Sequence, residues 1–169
     1  GAYPYKQYSF IQAGDGGMEY PMLTMVSGPG DGVTVHEFLH SWYQGFLGTN
    51  ESLYPWMDEG FTTFAENLAL AHLNNSTEFP HEGDYAGYLA LARSGFGLEE
   101  PMTTHADHYN TNFAYSVASY SKGAVFLSQL GYIVSDSIRD RILLEYYRQW
   151  RFKHPNVNDF MRIAEKESG

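Results

Sequence analysis

Two histidines separated by three residues constrain this chain more than any other feature. His36 and His40 flank Glu37 in the segment VHEFLHSW, residues 35–42. In an α-helix of 3.6 residues per turn, residues four apart lie on one face, so both imidazoles can reach one metal ion. The residue that follows the first histidine points to an adjacent quadrant, and we expect Glu37 to face the water and not the metal. The segment therefore predicts a helix that carries most of a metal site.

A third ligand is available downstream in the segment WMDEGFTTF, where Glu59 follows Asp58. Zinc in hydrolytic enzymes takes three nitrogen or carboxylate ligands and one open position, and two histidines with one glutamate are a known set. The region Trp56 to Leu73 predicts a second helix, because apolar residues recur there at helical spacing. These residues are Phe61, Phe64, Ala65, Leu68 and Ala71. The sequence thus predicts a catalytic zinc site between two helices.

Glu66 lies nearly two helical turns beyond Glu59 and on the same face of the predicted helix. One interpretation is that its carboxylate accepts a hydrogen bond from the outer nitrogen of a ligating imidazole. The other is an ordinary solvated carboxylate, and the sequence does not separate the two.

Four short motifs occur in an order and spacing that resemble the aminopeptidase N-like gluzincin metallopeptidases. They are GGMEYP at 16–21, HEFLHSW at 36–42, DEGF at 58–61 and YSKG at 120–123. The likeness extends over nearly the whole chain. It implies a zinc peptidase whose substrate is a peptide with a free N-terminus.

The resemblance also implies a role for each motif residue. The zinc ligands would be His36, His40 and Glu59, and the general base would be Glu37. Glu19 would bind the free amino group of the substrate, with Gly16 and Gly17 of the same motif as further substrate-binding positions. Tyr120 would stabilise the oxyanion of the tetrahedral intermediate.

Two positions depart from the usual pattern of that family. Tyr20-Pro21 stands where Asn-Pro is usual, and Asp58-Glu59 stands where Asn-Glu is common. Neither change removes a predicted ligand or the base, so we expect zinc binding to be retained and contacts near the substrate to differ.

Composition excludes several other classes. The net charge of −10 argues against a nucleic-acid partner, because no cluster of lysine or arginine offsets it. The chain has no cysteine, which rules out disulfides and thiolate zinc sites. We find no stretch that is long and apolar enough to span a membrane, and the sequence leaves the cellular location open.

The patterns predict a mainly α (α+β) fold, which the resemblance identifies with a thermolysin-like zincin catalytic domain. A short N-terminal β-hairpin is expected from Tyr8, Phe10 and the segment Met22 to Val26, around a turn at Gly14 to Gly17. Further helices are predicted at Tyr85 to Arg93, Ser119 to Tyr132, Asp136 to Phe152 and Val157 to Lys166, with Asp84, Ser135 and Asn156 as N-caps. Residues 1–169 are expected to form one catalytic domain of a larger enzyme, since full-length members of the family add an N-terminal β-rich domain and a C-terminal helical domain.

Some alternatives remain open at this point. Tyr115 either lines the site or packs in the core. Besides the zinc aminopeptidase, the residues are compatible with a thermolysin-like zinc endopeptidase, which has no need of Glu19. They are also compatible with a non-catalytic scaffold descended from such an enzyme, although the predicted base and ligands are all present.

Overall fold

The structure is a computed structural model that describes residues 1–14 and 16–169. Its strands are β1 (Ser9–Gln12), β2 (Gly17–Tyr20) and β3 (Leu23–Val26). Its α-helices are α1 (Asp31–Leu39), α2 (Phe61–Leu73), α3 (Glu82–Arg93), α4 (Asn112–Ser116), α5 (Lys122–Val134), α6 (Asp136–Trp150) and α7 (Val157–Ser168). Wider, π-type turns lie at Ser41–Phe46, Trp56–Gly60 and Val117–Ser121, and a 3₁₀ turn lies at Ala106–His108. The predicted mainly helical fold is confirmed.

The N-terminal sheet has the strand order β1-β3-β2. β1 runs parallel to β3, with Ser9 opposite Leu23, whereas β2 is antiparallel to β3. The predicted hairpin between the first segment and 22–26 is therefore wrong in its pairing, because β2 provides the antiparallel partner. The chain reverses direction between β2 and β3 at Pro21 and Met22. The ring of Pro21 restricts its own φ, and Met22 has a φ of 62°. The turn predicted at Gly14 to Gly17 includes Asp15, which lies outside the described residues.

Helix ends follow capping chemistry in two of the three predicted cases. The Ser135 hydroxyl accepts a hydrogen bond from the backbone of Ile138 at the start of α6. Asn156 forms a reciprocal capping box with Asp159 at the start of α7. Asp84 is not a cap, because α3 already begins at Glu82 and its carboxylate instead accepts a hydrogen bond from Asn67. The N-caps of α6 and α7 can thus be predicted from the sequence, whereas the tertiary contact that Asp84 makes instead of capping α3 cannot.

A single apolar cluster holds the helices together. Its buried members come from the end of the turn at Ser41–Phe46, from the turn before α2 and from α2, α5, α6 and α7: Leu47, Trp56, Met57, Phe61, Phe64, Ala124, Leu127, Ile142, Tyr146, Phe160, Ile163 and Ala164. Trp56 and Met57 are 1% and 2% exposed. Since these two residues open the turn that contains Asp58 and Glu59, the core fixes the position of that turn.

Two glycines allow the turn at Trp56–Gly60 to touch the helical segment at 117–134. A Cβ added to Gly60 would lie only 2.7 Å from Cα of Gly123 and 2.9 Å from the carbonyl oxygen of Ser119. Carbon atoms in contact are about 3.5–4.0 Å apart, so neither glycine leaves room for a side chain. The main chains that lead into Glu59 and Tyr120 therefore meet directly.

Among the described residues, no helix combines the length and the apolar character that crossing a lipid bilayer requires.

Candidate metal centre and active-site cleft

The predicted ligands converge on one point. Nε2 of His36 lies 3.1 Å from Nε2 of His40, and the same two nitrogens lie 3.2 and 3.3 Å from Oε2 of Glu59. In a tetrahedral zinc site with bonds of 2.0–2.1 Å, neighbouring ligand atoms are about 3.3 Å apart. The triangle formed by these three atoms therefore has the dimensions of a zinc site.

The outer nitrogens of both imidazoles contact carboxylates. Nδ1 of His36 lies 2.8 Å from Glu66, and Nδ1 of His40 lies 2.5 Å from Asp58. When each Nδ1 carries the proton and its N–H donates a hydrogen bond to the carboxylate, each Nε2 presents a lone pair to the centre of the triangle. Two lone pairs and a carboxylate oxygen in contact repel one another unless a cation lies among them. The donor set therefore fits a divalent zinc ion.

The charges of the ligands agree with this arrangement. Burial alone lowers the pKa of His36, but hydrogen bonds to Glu59 and Glu66 outweigh it and raise the pKa to about 9. Burial raises the pKa of Glu59, and the two histidines more than reverse this, so that its pKa falls to about 2. In the metal-free protein, protons on the imidazoles supply the positive charge that a metal ion supplies when bound.

Glu37 lies beside the triangle and not within it. It is the buried residue of α1, and its Oε2 has no hydrogen-bond partner among the residues that the structure describes. Burial is the main cause that raises the pKa of Glu37 to about 7. A buried carboxylate with a free oxygen and a pKa near neutrality is suited to take up and release a proton.

Gly17 provides the space that the Glu37 carboxylate occupies. A Cβ added to Gly17 would lie 2.6 Å from Cγ of Glu37 and closer still to its carboxylate. Gly16 has nothing within 4 Å of such an atom. The structure thus brings Gly17 to the site through the side chain of the predicted base, whereas Gly16 lies outside the walls of the cavity.

Glu19 projects from β2 toward the same centre. Carboxylate oxygens of Glu19 and Glu37 and a ring nitrogen of His40 all lie within 4.8 Å of one another. A cavity of about 330 Å³ joins Glu19 to the ligand triangle. Its other walls include Met18, Glu51, Tyr115 and Tyr120.

The two predicted tyrosines lie on the far side of that cavity. The ring of Tyr120 stacks on His36 with centroids 5.8 Å apart, and Tyr115 contacts Tyr120 edge-on at 6.3 Å. Burial and the charge of Glu59 raise the pKa of Tyr120 well above its usual value, so its hydroxyl stays protonated and can donate a hydrogen bond. Of the two interpretations of Tyr115, the structure favours a residue of the cavity wall.

The comparison with protein-family models decides the family. The model described as the Peptidase family M1 domain matches residues 30–169. The chain belongs to peptidase family M1. The match includes both histidines, Glu37, Glu59 and Tyr120, but begins after Glu19.

Curated members of family M1 match over most of this chain. Leucine aminopeptidase 2 of Aspergillus fumigatus is 32% identical over 158 residues, which is 86% of this chain and 25% of that protein. Aminopeptidase M1-B of Oryza sativa subsp. japonica is 24% identical over 140 residues, which is 79% of this chain and 15% of that protein. The chain therefore spans about a quarter, or less, of the length of these two relatives.

Solved structures share the fold of this chain. The M1 zinc metallopeptidase from Deinococcus radiodurans superposes with a TM-score of 0.79 at 19% identity, covering 99% of this chain and 37% of that one. Leukotriene A4 hydrolase from Saccharomyces cerevisiae superposes with a TM-score of 0.77 at 19% identity, covering 98% of this chain and 29% of that one.

The motif spacings do not predict one contact of the site. The carboxylate of Asp58, a residue that departs from the usual family pattern, is the nearest neighbour of the outer nitrogen of His40. The available indication was a charged residue directly before a ligand, in a segment that is otherwise apolar.

Proposed function

We propose that this chain is the catalytic domain of a zinc aminopeptidase, with His36, His40 and Glu59 as ligands. The observation that carries the proposal is the triangle of ligand atoms with Glu37 and Glu19 at its border, in one cavity. The names of the curated relatives support the same activity. Because the chain spans only part of those relatives, the proposal concerns the whole protein of which these residues form the zinc-binding domain.

Each residue has a distinct task in this proposal. Zinc, when bound, polarises the substrate carbonyl and lowers the pKa of a water molecule. Glu37 removes a proton from the attacking water and passes it to the leaving amine, a role for which its buried carboxylate with an unpartnered oxygen is suited. Tyr120 donates a hydrogen bond from its hydroxyl to the oxyanion that develops on the substrate, a contribution of about 3–4 kcal/mol for such a donor.

Glu19 would determine that cleavage starts from the N-terminus. Its carboxylate pairs with the α-ammonium of the substrate and thereby fixes the distance from the amine to the scissile bond. Carboxylate oxygens of Glu19 and Glu37 lie within 4.8 Å of each other. A substrate whose amine pairs with Glu19 would therefore have the carbonyl of its first residue beside Glu37. Binding of this kind distinguishes an aminopeptidase from a thermolysin-like endopeptidase.

Replacing the base tests the chemistry. In the full-length protein, Glu37→Gln should retain about one zinc per chain and lose roughly 10²–10⁴-fold in kcat on amino-acid anilides. Glu82→Gln, an exposed change in the first turn of α3, serves as the matched control and should keep full turnover. Turnover that persists in Glu37→Gln at the wild-type rate would show that the base is assigned wrongly.

A second experiment separates the two peptidase classes. Peptides with a free amine and their N-acetylated counterparts are compared as substrates of the wild-type protein. Acetylation removes the charge that Glu19 binds, so an aminopeptidase should cleave only the free peptides. Internal cleavage of acetylated peptides would favour the endopeptidase.

A further inference from the structure

The side chain of Asp58 is a buried carboxylate directed at a predicted ligand and not at the substrate. Asp58 is 2% exposed, and its Oδ1 lies 2.5 Å from Nδ1 of His40, which is also 2% exposed. Within the described part of the chain, His40 is the one side chain that hydrogen-bonds to Asp58. This is the shortest contact to either imidazole in the site.

A carboxylate in that position is hard to explain by packing alone. Burying a carboxyl group costs free energy, and one hydrogen bond from an imidazole N–H offsets this cost only in part. The contact with Nδ1 gives the group a task in the site, because a proton held on Nδ1 leaves Nε2 of His40 free to bind a metal ion.

The local backbone places Asp58 and Glu59 on opposite edges of the same ring. Asp58 contacts Nδ1 of His40, while Oε2 of Glu59 lies 3.3 Å from Nε2 of His40. Consecutive residues of a helical turn project in different directions, so one turn can reach both nitrogens. Burial of Trp56 and Met57 in the core holds that turn in place.

The other imidazole has a weaker version of this arrangement. His36 contacts Glu66 at 2.8 Å, but the two side chains are 13% and 19% exposed, against 2% and 3% for His40 and Asp58. Water screens the first pair more than the second. The two carboxylates therefore differ in the strength with which they act on their ligands.

We propose that Asp58 is a positioning residue of the zinc site, which fixes His40 with its Nε2 lone pair toward the metal. The inference rests on the proposed zinc site. It assigns Asp58 no contact with the substrate. Outer partners of this kind contribute about 10- to 100-fold in metal affinity.

Zinc affinity of the full-length protein provides the test, measured by competition with a chromogenic chelator. Asp58→Asn keeps the size of the side chain but replaces the carboxylate with an amide, a weaker partner for the Nδ1–H of His40, and we expect it to bind zinc about 10- to 100-fold more weakly than wild type. Glu66→Gln should lose less affinity, because its pair is more exposed. The hydroxyl oxygen of Thr62 lies 3.3 Å from Nδ1 of His40 and could accept its hydrogen bond if Asp58 were truncated to a smaller residue, so the asparagine variant is the sharper test.

A control separates affinity from stability. Asp159→Asn removes a carboxylate that caps α7 and belongs neither to the ligand cluster nor to the cavity wall, and it should lower the midpoint of thermal unfolding of the zinc-free protein without changing the zinc dissociation constant. If Asp58→Asn behaves like Asp159→Asn, with lower stability and unchanged affinity, Asp58 is only structural and the inference is overturned. Wild-type protein that binds no zinc would instead refute the proposed function itself.

A spectroscopic measurement makes the test independent of any variant. In zinc-loaded wild-type protein, ¹⁵N NMR should find the proton of His40 on Nδ1, in a slowly exchanging hydrogen bond. A proton on Nε2, or rapid exchange at Nδ1, contradicts the proposed contact.

Discussion

Gly17 offers the most direct test of how the site is built, because a single methyl group would displace the predicted base. An alanine Cβ at this position would lie 2.6 Å from Cγ of Glu37, about 1 Å inside the carbon–carbon contact distance. Gly17 does not have a positive φ, so the backbone of β2 accepts alanine and the clash must be relieved by the Glu37 side chain. A displacement of 1 Å in a catalytic group can lower the rate about 10²-fold.

We therefore expect Gly17→Ala to reduce kcat about 10²-fold, with little change in zinc content or thermal stability. Steady-state kinetics on an amino-acid anilide, metal analysis and thermal unfolding measure the three quantities. Gly16→Ala is the matched control, since an added Cβ there meets nothing within 4 Å. If Gly17→Ala retains half or more of the wild-type kcat, the packing of Glu37 against β2 does not control the base, and the reasoning fails.

Two further predictions concern stability and its dependence on pH. Gly123→Ala forces a Cβ against the backbone of Gly60 and should destabilise the protein by about 1–3 kcal/mol in chemical denaturation. Gly87→Ala, in the interior of α3 with only an ordinary contact to Ser121, is the control and should be neutral or stabilising. Equal stability of the two variants would rule out the close contact between Gly60 and Gly123. Burial, aided by the charge of Arg139, lowers the pKa of His81 to about 4. As the pH falls, the unfolded chain therefore binds this proton before the folded protein does. The folded state is fully favoured above pH about 6.5 and loses at most about 3 kcal/mol of stability as the pH approaches 4. Urea unfolding at pH 7 and pH 5 should show this loss in wild type but not in His81→Phe, and an identical loss in both proteins would exclude His81 as its source.

Much of the site could be predicted because it depends on local spacing. The separation of His36 and His40 fixes a shared helix face, and the two-turn interval from Glu59 to Glu66 places both carboxylates beside the same imidazole. Of the two interpretations of Glu66, the structure favours the hydrogen bond to His36. These relations follow from helix geometry alone and need no knowledge of the tertiary fold.

Other features depend on contacts between distant segments, which periodicity does not encode. Alternation predicts that Ser9–Gln12 is extended, but it does not reveal that β2 rather than β1 pairs antiparallel with β3. The helical region predicted to start at Ser119 begins at Asn112, because the Thr111 hydroxyl caps α4 by accepting a hydrogen bond from Ala114. The contact from Asp58 to His40 likewise depends on the orientation of one turn against α1.

The direct backbone contact between Gly60 and Gly123 limits how this site can change during evolution. Glu59 and Tyr120 each lie within a few residues of the point where the main chains of Gly60 and Gly123 touch, so the backbone limits the distance between the carboxylate and the phenol. Substitutions elsewhere in the cavity, at Met18 or Glu51 for example, can reshape what enters without altering that spacing. Selectivity and chemical competence are thereby separable, and new preferences can arise on a reaction centre whose internal dimensions stay fixed.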